Sequence, residues 1–196
     1  MKNTRVRKMT VAAMLGVVGF VLMMLEFSIP IMPGFIKVDF SEIPSLLGAF
    51  ALGPVWGVVV CLLKNLLKAI FVTNSFGVGE LSNFILGTAL VLPAGIIYGK
   101  MKSRKGAFIG AVAGSVISGI VSVFSNYYIA YPFYMNFMEY DAIIGAYQLI
   151  NKNVQNLWQA LIWFNMPFTI VKNLINSAIV TLVYKKLSPL LKGRGK

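Results

Sequence analysis

The chain has 196 residues, 58% of them hydrophobic and 12% charged, and 18 Lys and Arg against 6 Asp and Glu give a formal net charge of +12. With a mean hydropathy of +0.78, that composition excludes an ordinary soluble domain and points to an all-α membrane protein, one domain over residues 1–196 built from several spans. Histidine is absent, which removes the commonest general base and metal ligand, so neither a hydrolase triad nor a metal or haem site is expected.

The basic residues lie in short clusters between apolar runs, the pattern of cytoplasmic membrane edges rather than of a nucleic-acid surface. Lys2, Arg5, Arg7 and Lys8 precede an apolar run over 9–27, read as a first span starting in the cytoplasm. In it Ala12 and Gly16 form a small-x-x-x-small pair, which permits close approach of another backbone. Residues 26–42 form a loop containing Pro30, Pro33, Gly34, Phe35, Asp39, Phe40 and Glu42, both acidic and apolar, able to fold over a site.

Residues 43–72 are interrupted by Gly53-Pro54, and proline cannot continue a helix from the preceding turn. Two helices are therefore expected, the first short. The second holds Lys64, Asn65 and Lys68, either a second polar lining or, for Lys68, a side chain snorkelling to the outer interface, and Cys61, which packs as a lone buried thiol. The turn from Thr73 to Gly79 leads into a fourth span ending near residue 98, with Glu80 and Asn83 on one face at its start. The cluster Lys100, Lys102, Arg104 and Lys105 returns to the cytoplasm, and an even number of crossings between the two clusters requires that 43–72 be split.

The fifth span, 106–130, carries Gly106, Gly110, Gly114, Ser118, Ser122 and Asn126 at four-residue intervals, a close-packing stripe that turns polar at Asn126 and Tyr127. An outer loop follows, with a short amphipathic helix near 142–150. The last span, 158–184, places Asn165, Thr169, Lys172 and Asn176 on one helical face with Asn173 at its edge. A lysine facing lipid at mid-span costs roughly 2.5–3.5 kcal/mol on insertion scales, so this face must look inward; Asn and Thr alone would also suit a polar seam between helices, and the intramembrane lysine among them favours a ligand or ion site. The sum is six transmembrane helices with both termini cytoplasmic, and Lys185, Lys186, Lys192, Arg194 and Lys196 complete the inner charge.

No Gly-x-x-x-x-Gly-Lys-Ser/Thr loop is present, so the chain is not expected to use ATP itself. Amides and one lysine inside an aromatic and aliphatic wall suit a mostly apolar planar molecule with a hydrogen-bonding edge. The segments Phe35-Ile36-Lys37-Val38-Asp39-Phe40-Ser41-Glu42-Ile43-Pro44, Gly48-Ala49-Phe50-Ala51-Leu52-Gly53-Pro54, Leu63-Lys64-Asn65-Leu66-Leu67 and Gly77-Val78-Gly79-Glu80-Leu81-Ser82-Asn83-Phe84, with Asn126-Tyr127-Tyr128 and Lys172-Asn173, resemble the riboflavin-binding S-components of energy-coupling-factor (ECF) vitamin transporters over essentially the whole chain.

The resemblance implies a six-helix bundle that binds riboflavin from outside as a transported ligand, not an enzyme, with no cofactor. It implies as partners a transmembrane T-component and two cytoplasmic ATPases, and as location the cell membrane of a prokaryote. It implies that Lys172, Asn173 and Asn176 bind the polar ring edge or the ribityl hydroxyls and that Glu80, Asn83, Asn126 and Asn165 complete the set. Phe40 and Tyr127 would wall the ring, and Ala12 and Gly16 would dock the partner, with Gly16 standing where the family's Ala-x-x-x-Ala motif has its second alanine. The alternatives are an S-component for another vitamin and a membrane-embedded enzyme using Glu80 and Lys172 as acid and base.

Overall fold

The computed structural model describes residues 4–72 and 76–192; Lys2, the turn residues Thr73, Asn74 and Ser75, and Arg194 and Lys196 lie outside them. Helix α1, Thr4–Met24, leads into a strap in which β1, Phe27–Ser28, pairs antiparallel with β2, Lys37–Val38, Phe27 opposite Val38. Then come α2, Glu42–Leu52, α3, Pro54–Phe71, and α4, Val78–Met101. Helix α5, Arg104–Ser125, passes through a π-helical turn, Asn126–Ala130, into α6, Tyr131–Tyr134. The outer helix α7 spans Tyr140–Gln148. The last stretch is α8, Leu157–Ala160, a second π-helical turn, Leu161–Asn165, and α9, Met166–Lys192.

Among the described residues five helices are long and apolar enough to cross a membrane, where the sequence suggests six: Arg5–Met24, Pro54–Phe71, Val78–Met101, Arg104–Tyr134 and Leu157–Tyr184. The difference is α2. Its 11 residues extend only about 16 Å at 1.5 Å per residue, about half the hydrocarbon thickness. The break falls at Gly53, whose φ of 114° is open to glycine and strained for other residues, and Pro54 starts α3 at its first turn, where its missing N–H costs nothing. Nearly all of α2 is buried, including Leu46, Leu47, Ala49 and Phe50, so it is a core helix wrapped by the longer ones.

The four-residue stripe of α5 closes on α4. A Cβ on Gly110 would lie 2.7 Å from the Ala94 carbonyl oxygen, and one on Gly114 would lie closer still to that of Leu90. Ser118 Oγ donates to the Leu86 carbonyl at 2.9 Å, and the Ser82 and Ser125 hydroxyls meet at 2.9 Å. Around this seam pack Leu46, Phe50, Leu90, Val91, Ala94 and Val180. Far from the strap the bundle is closed by a ring cluster: Tyr98 Oη donates to Tyr184 Oη at 3.2 Å, and Tyr184 Oη donates to the Phe50 carbonyl at 3.0 Å.

Because backbone faces Gly114, Gly114→Ala should force α4 and α5 apart and cost about 1–3 kcal/mol, read as a lower thermal midpoint in detergent. Gly99→Ala, on the same helix pair but with open space at its Cβ, should leave the midpoint unchanged or raise it. Equal losses in the two variants would contradict the seam.

Candidate functional site

At the strap end the helices leave a cavity of about 350 Å³, within the range of small-molecule sites. Its walls come from the strap with Phe35, Ile36, Lys37 and Asp39, the start of α2 with Glu42, α3 with Lys68, α4 with Glu80, Asn83 and Gly87, α5 with Ser118, the first π turn and α6 with Asn126 and Tyr134, and α9 with Phe168, Thr169, Lys172 and Asn173. Both π turns border the cavity and each contributes an asparagine, Asn126 as first residue of one and Asn165 as last of the other. A π turn adds a residue to the helical turn and so redirects side chains, which is why such turns recur at functional sites.

Beneath the cavity lies a charged lattice. The fully buried Lys64 donates from Nζ to Glu42 Oε1 at 2.6 Å and to Ser41 Oγ at 2.7 Å. Such a pair survives burial only when both charges are hydrogen-bonded. Glycines make room for it. Gly87 carries no Cβ where one would lie 3.0 Å from Glu42 Oε1, and Gly19 of α1 closes over the Lys64 stem, where a Cβ would sit 3.3 Å from Lys64 Cβ.

Asp39 joins strap to helix: its Oδ2 accepts from Lys172 Nζ at 3.3 Å and its Oδ1 accepts from the Ser41 backbone N–H at 2.8 Å. Glu26, where α1 ends, accepts from Lys37 Nζ at 2.8 Å and Lys68 Nζ at 2.6 Å. Burial alone would raise the pKa of Asp39, but the neighbouring Lys172 and Lys64 charges and the Ser41 hydrogen bonds outweigh it and hold the carboxyl well below its ordinary range. For Glu26 burial is likewise outweighed, by Lys37 and Lys68, and its pKa is lowered.

The amides differ in their engagement. The side chains of Asn83, Asn126 and Asn173 reach the cavity with no hydrogen-bond partner among the described residues. Asn165 is held by two tyrosines: Tyr147 Oη donates to its Oδ1 at 2.6 Å, and its Nδ2 donates to Tyr131 Oη at 3.2 Å.

The structure thus brings together Glu80, Asn83, Asn126, Asn165, Lys172 and Asn173, and leaves out other expected residues. Phe40 does not line the cavity; Asp39 is the neighbour that faces Lys172, and the Phe40 ring packs on Phe27 at 6.3 Å. Tyr127 lines a separate cleft, where it stacks on Trp158 at 4.5 Å. Asn176 is one turn beyond Asn173, about 4.5 Å along the axis, fully buried and outside the lining.

The pair expected to dock the partner lies inside the bundle. Ala12 is 1% exposed, and a Cβ on Gly16 would lie 2.8 Å from Leu63 Cβ, so Ala12, Gly16 and Gly19 are the seam on which α1 packs against α3. The small residues serve an approach within this chain. The outward face of α1 is Met14, Val17, Val18 and Val21.

Residues not assigned to the site from sequence but lining it include Glu26, Lys37, Tyr134 and Phe168, while Lys68, read as part of a second polar lining, does reach it. For Glu26 the available signal is charge out of place, a carboxylate at the end of the first apolar run.

A model of the ECF transporter substrate-specific component matches residues 7–184. The chain belongs to the substrate-specific components of ECF transporters. The riboflavin transporter RibU of Staphylococcus aureus (strain TCH60) is 33% identical over 188 residues, covering 95% of this chain and 93% of its own length. The riboflavin transporter FmnP of Bacillus subtilis (strain 168) is 30% identical, covering 94% of each. A solved structure described as the S component of a bacterial ECF transporter superposes with a TM-score of 0.74 at 31% identity, covering 96% of this chain and 99% of the other. The S-component fold thus extends over the cavity and the lattice alike.

Two outcomes follow. Lys64→Met leaves Glu42 buried without its cation and should cost about 3–5 kcal/mol; adding Glu42→Gln should restore much of the thermal midpoint, whereas additive losses would contradict direct pairing. A carboxylate whose folded pKa is depressed favours folding at every pH above its unfolded value near 4, and the advantage shrinks as pH falls past that value toward the folded one. Stability in detergent should therefore be level from about pH 8 to 6 in this respect and fall below about pH 5, and Asp39→Asn should flatten the acid limb. An acid limb of equal steepness in Asp39→Asn would contradict the Asp39 assignment.

Proposed function

We propose that this chain binds riboflavin in the strap-end cavity from the outer face of the cell membrane, unchanged chemically, and carries it inward as the substrate-specific subunit of an ECF transporter. In this reading α2 and the five long helices form a six-helix bundle with both termini cytoplasmic, and the clusters from Arg5 to Lys8 and from Lys100 to Lys105 mark the inner edge, in keeping with the positive-inside rule. A transmembrane T-component and two cytoplasmic ATPases supply the movement. The apolar outward face of α1, with Met14, Val17, Val18 and Val21 each at least half exposed, is the surface offered to the T-component.

The observation that carries the reading is the set of unengaged amides, Asn83, Asn126 and Asn173, around a cavity also walled by Phe35, Ile36, Leu86 and Phe168. A flavin has the matching chemistry: an apolar benzenoid end, a pyrimidine edge of alternating donors and acceptors, and a hydroxylated tail. Glu26, Asp39 and Glu42 are each paired to a lysine, which suits a ligand without net charge. The names of the relatives, riboflavin transporters throughout, point the same way.

Titration of the purified protein in detergent should quench riboflavin fluorescence at one ligand per chain, unrelieved by thiamine or biotin. Lys172→Ala should weaken binding by about 1–3 kcal/mol. No quenching by a folded sample would discard riboflavin, and unchanged affinity in the variant would remove Lys172 from the site.

A further inference from the structure

Tyr131, Tyr147 and Asn165 are 2%, 0% and 5% exposed and close a ring of hydrogen bonds. Tyr147 Oη donates to Asn165 Oδ1 at 2.6 Å, Asn165 Nδ2 donates to Tyr131 Oη at 3.2 Å, and the Tyr131 hydroxyl donates in turn to that of Tyr147. Each hydroxyl gives one proton and accepts one. The lengths set the sense of the ring, since 2.6 Å suits O–H···O and 3.2 Å suits N–H···O.

A primary amide has two N–H donors and a carbonyl with two lone pairs. The ring uses one donor and one lone pair of Asn165, and of the three residues only Asn165 lines the cavity; Tyr131 and Tyr147 do not. An amide free to turn can offer a ligand either a donor or an acceptor at the same place. Held by the ring, it offers one.

We propose that Tyr147 is a positioning residue that fixes the orientation of the Asn165 amide and so sets which ligand edge Asn165 accepts. Tyr147 sits in the last turn of α7, a nine-residue helix too short to span a membrane. Its companions Ile143 and Ile144 are buried with Val154 and Leu161, so α7 is anchored rather than loose and carries the hydroxyl to a set place. Phe35 of the strap meets both tyrosines edge-on, at 6.2 Å and 6.1 Å, and roofs the ring. Away from water such bonds are stronger and more directional. Burial also pushes the Tyr147 pKa well above that of an ordinary tyrosine, so the hydroxyl stays a proton donor.

The ligand side of this inference rests on the riboflavin reading, and the test separates the two. Wild type, Tyr147→Phe, Asn165→Ala and the double variant are titrated with riboflavin, with thermal midpoints beside them. Tyr147→Phe should weaken binding about tenfold with a midpoint within a few degrees of wild type. The double variant should bind no more weakly than Asn165→Ala alone, because the tyrosine acts only through the asparagine. Losses that multiply in the double variant, or wild-type affinity in Tyr147→Phe, would overturn the proposal.

A second measurement needs no ligand. In protein labelled with ¹⁵N-asparagine, the side-chain amide signal that vanishes in Asn165→Ala should shift and exchange faster with water in Tyr147→Phe. If wild type fails to bind riboflavin but this signal responds, the positioning stands and the ligand is another. If the signal is unmoved, the positioning fails whatever the ligand. Should Tyr147→Phe not fold, Tyr131→Phe opens the same ring from its other hydroxyl and is read in the same way.

Discussion

A lysine with no exposed surface inside an apolar bundle must have its charge met, and the pairing of Lys64 with Glu42 and Ser41 is the constraint on which the rest of this fold depends. The pair needs four helices, α1 to α4, to come close at one level. The stripe of Ala12, Gly16 and Gly19 lets α1 seal the α3 side, Gly87 lets α4 pass the Glu42 carboxylate, and Gly57 lets α3 fold back on Ala49 of α2. A Cβ at any of these glycines would press on the lattice or on the helix packing around it.

The cavity is a consequence of that arrangement. Since α2 is short and starts with Glu42, no helix fills the space above it, and the strap crosses it tied by Glu26 to α3 and by Asp39 to α9. The lysines are largely occupied by carboxylates, so the uncommitted hydrogen-bonding capacity there belongs to asparagines. An uncharged polar ligand meets such a surface without having to displace an ion pair.

Much of this was legible in the sequence because it rests on local rules. The Gly53-Pro54 break and the four-residue stripe of α5 each depend on neighbours within a turn or two, and each appears as read, whereas of the six spans read from apolar run length five are long enough to cross a membrane. The polar face of the last span was legible for the same reason, and Asn165, Thr169, Lys172 and Asn173 do share the cavity. What was not legible depends on partners far along the chain. Lys172 meets Asp39 across 133 positions; the sequence shows both charges and not their pairing. A small-residue pair announces close approach but not to what, and Ala12 and Gly16 pack within this chain, Gly16 against Leu63 of α3. The π turns leave no periodic trace, and without them neither the parting of Asn126 from Tyr127 nor the capture of Asn165 by two tyrosines could be foreseen.

The most direct measurement is a crystal structure of the chain with riboflavin bound. The account predicts the isoalloxazine ring in the strap-end cavity within hydrogen-bond distance of the Asn83, Asn126 and Asn173 amides, with the Lys64–Glu42 pair intact beneath it. Riboflavin seated instead in the cleft between Tyr127 and Trp158, or the buried pair broken in the bound state, would contradict it.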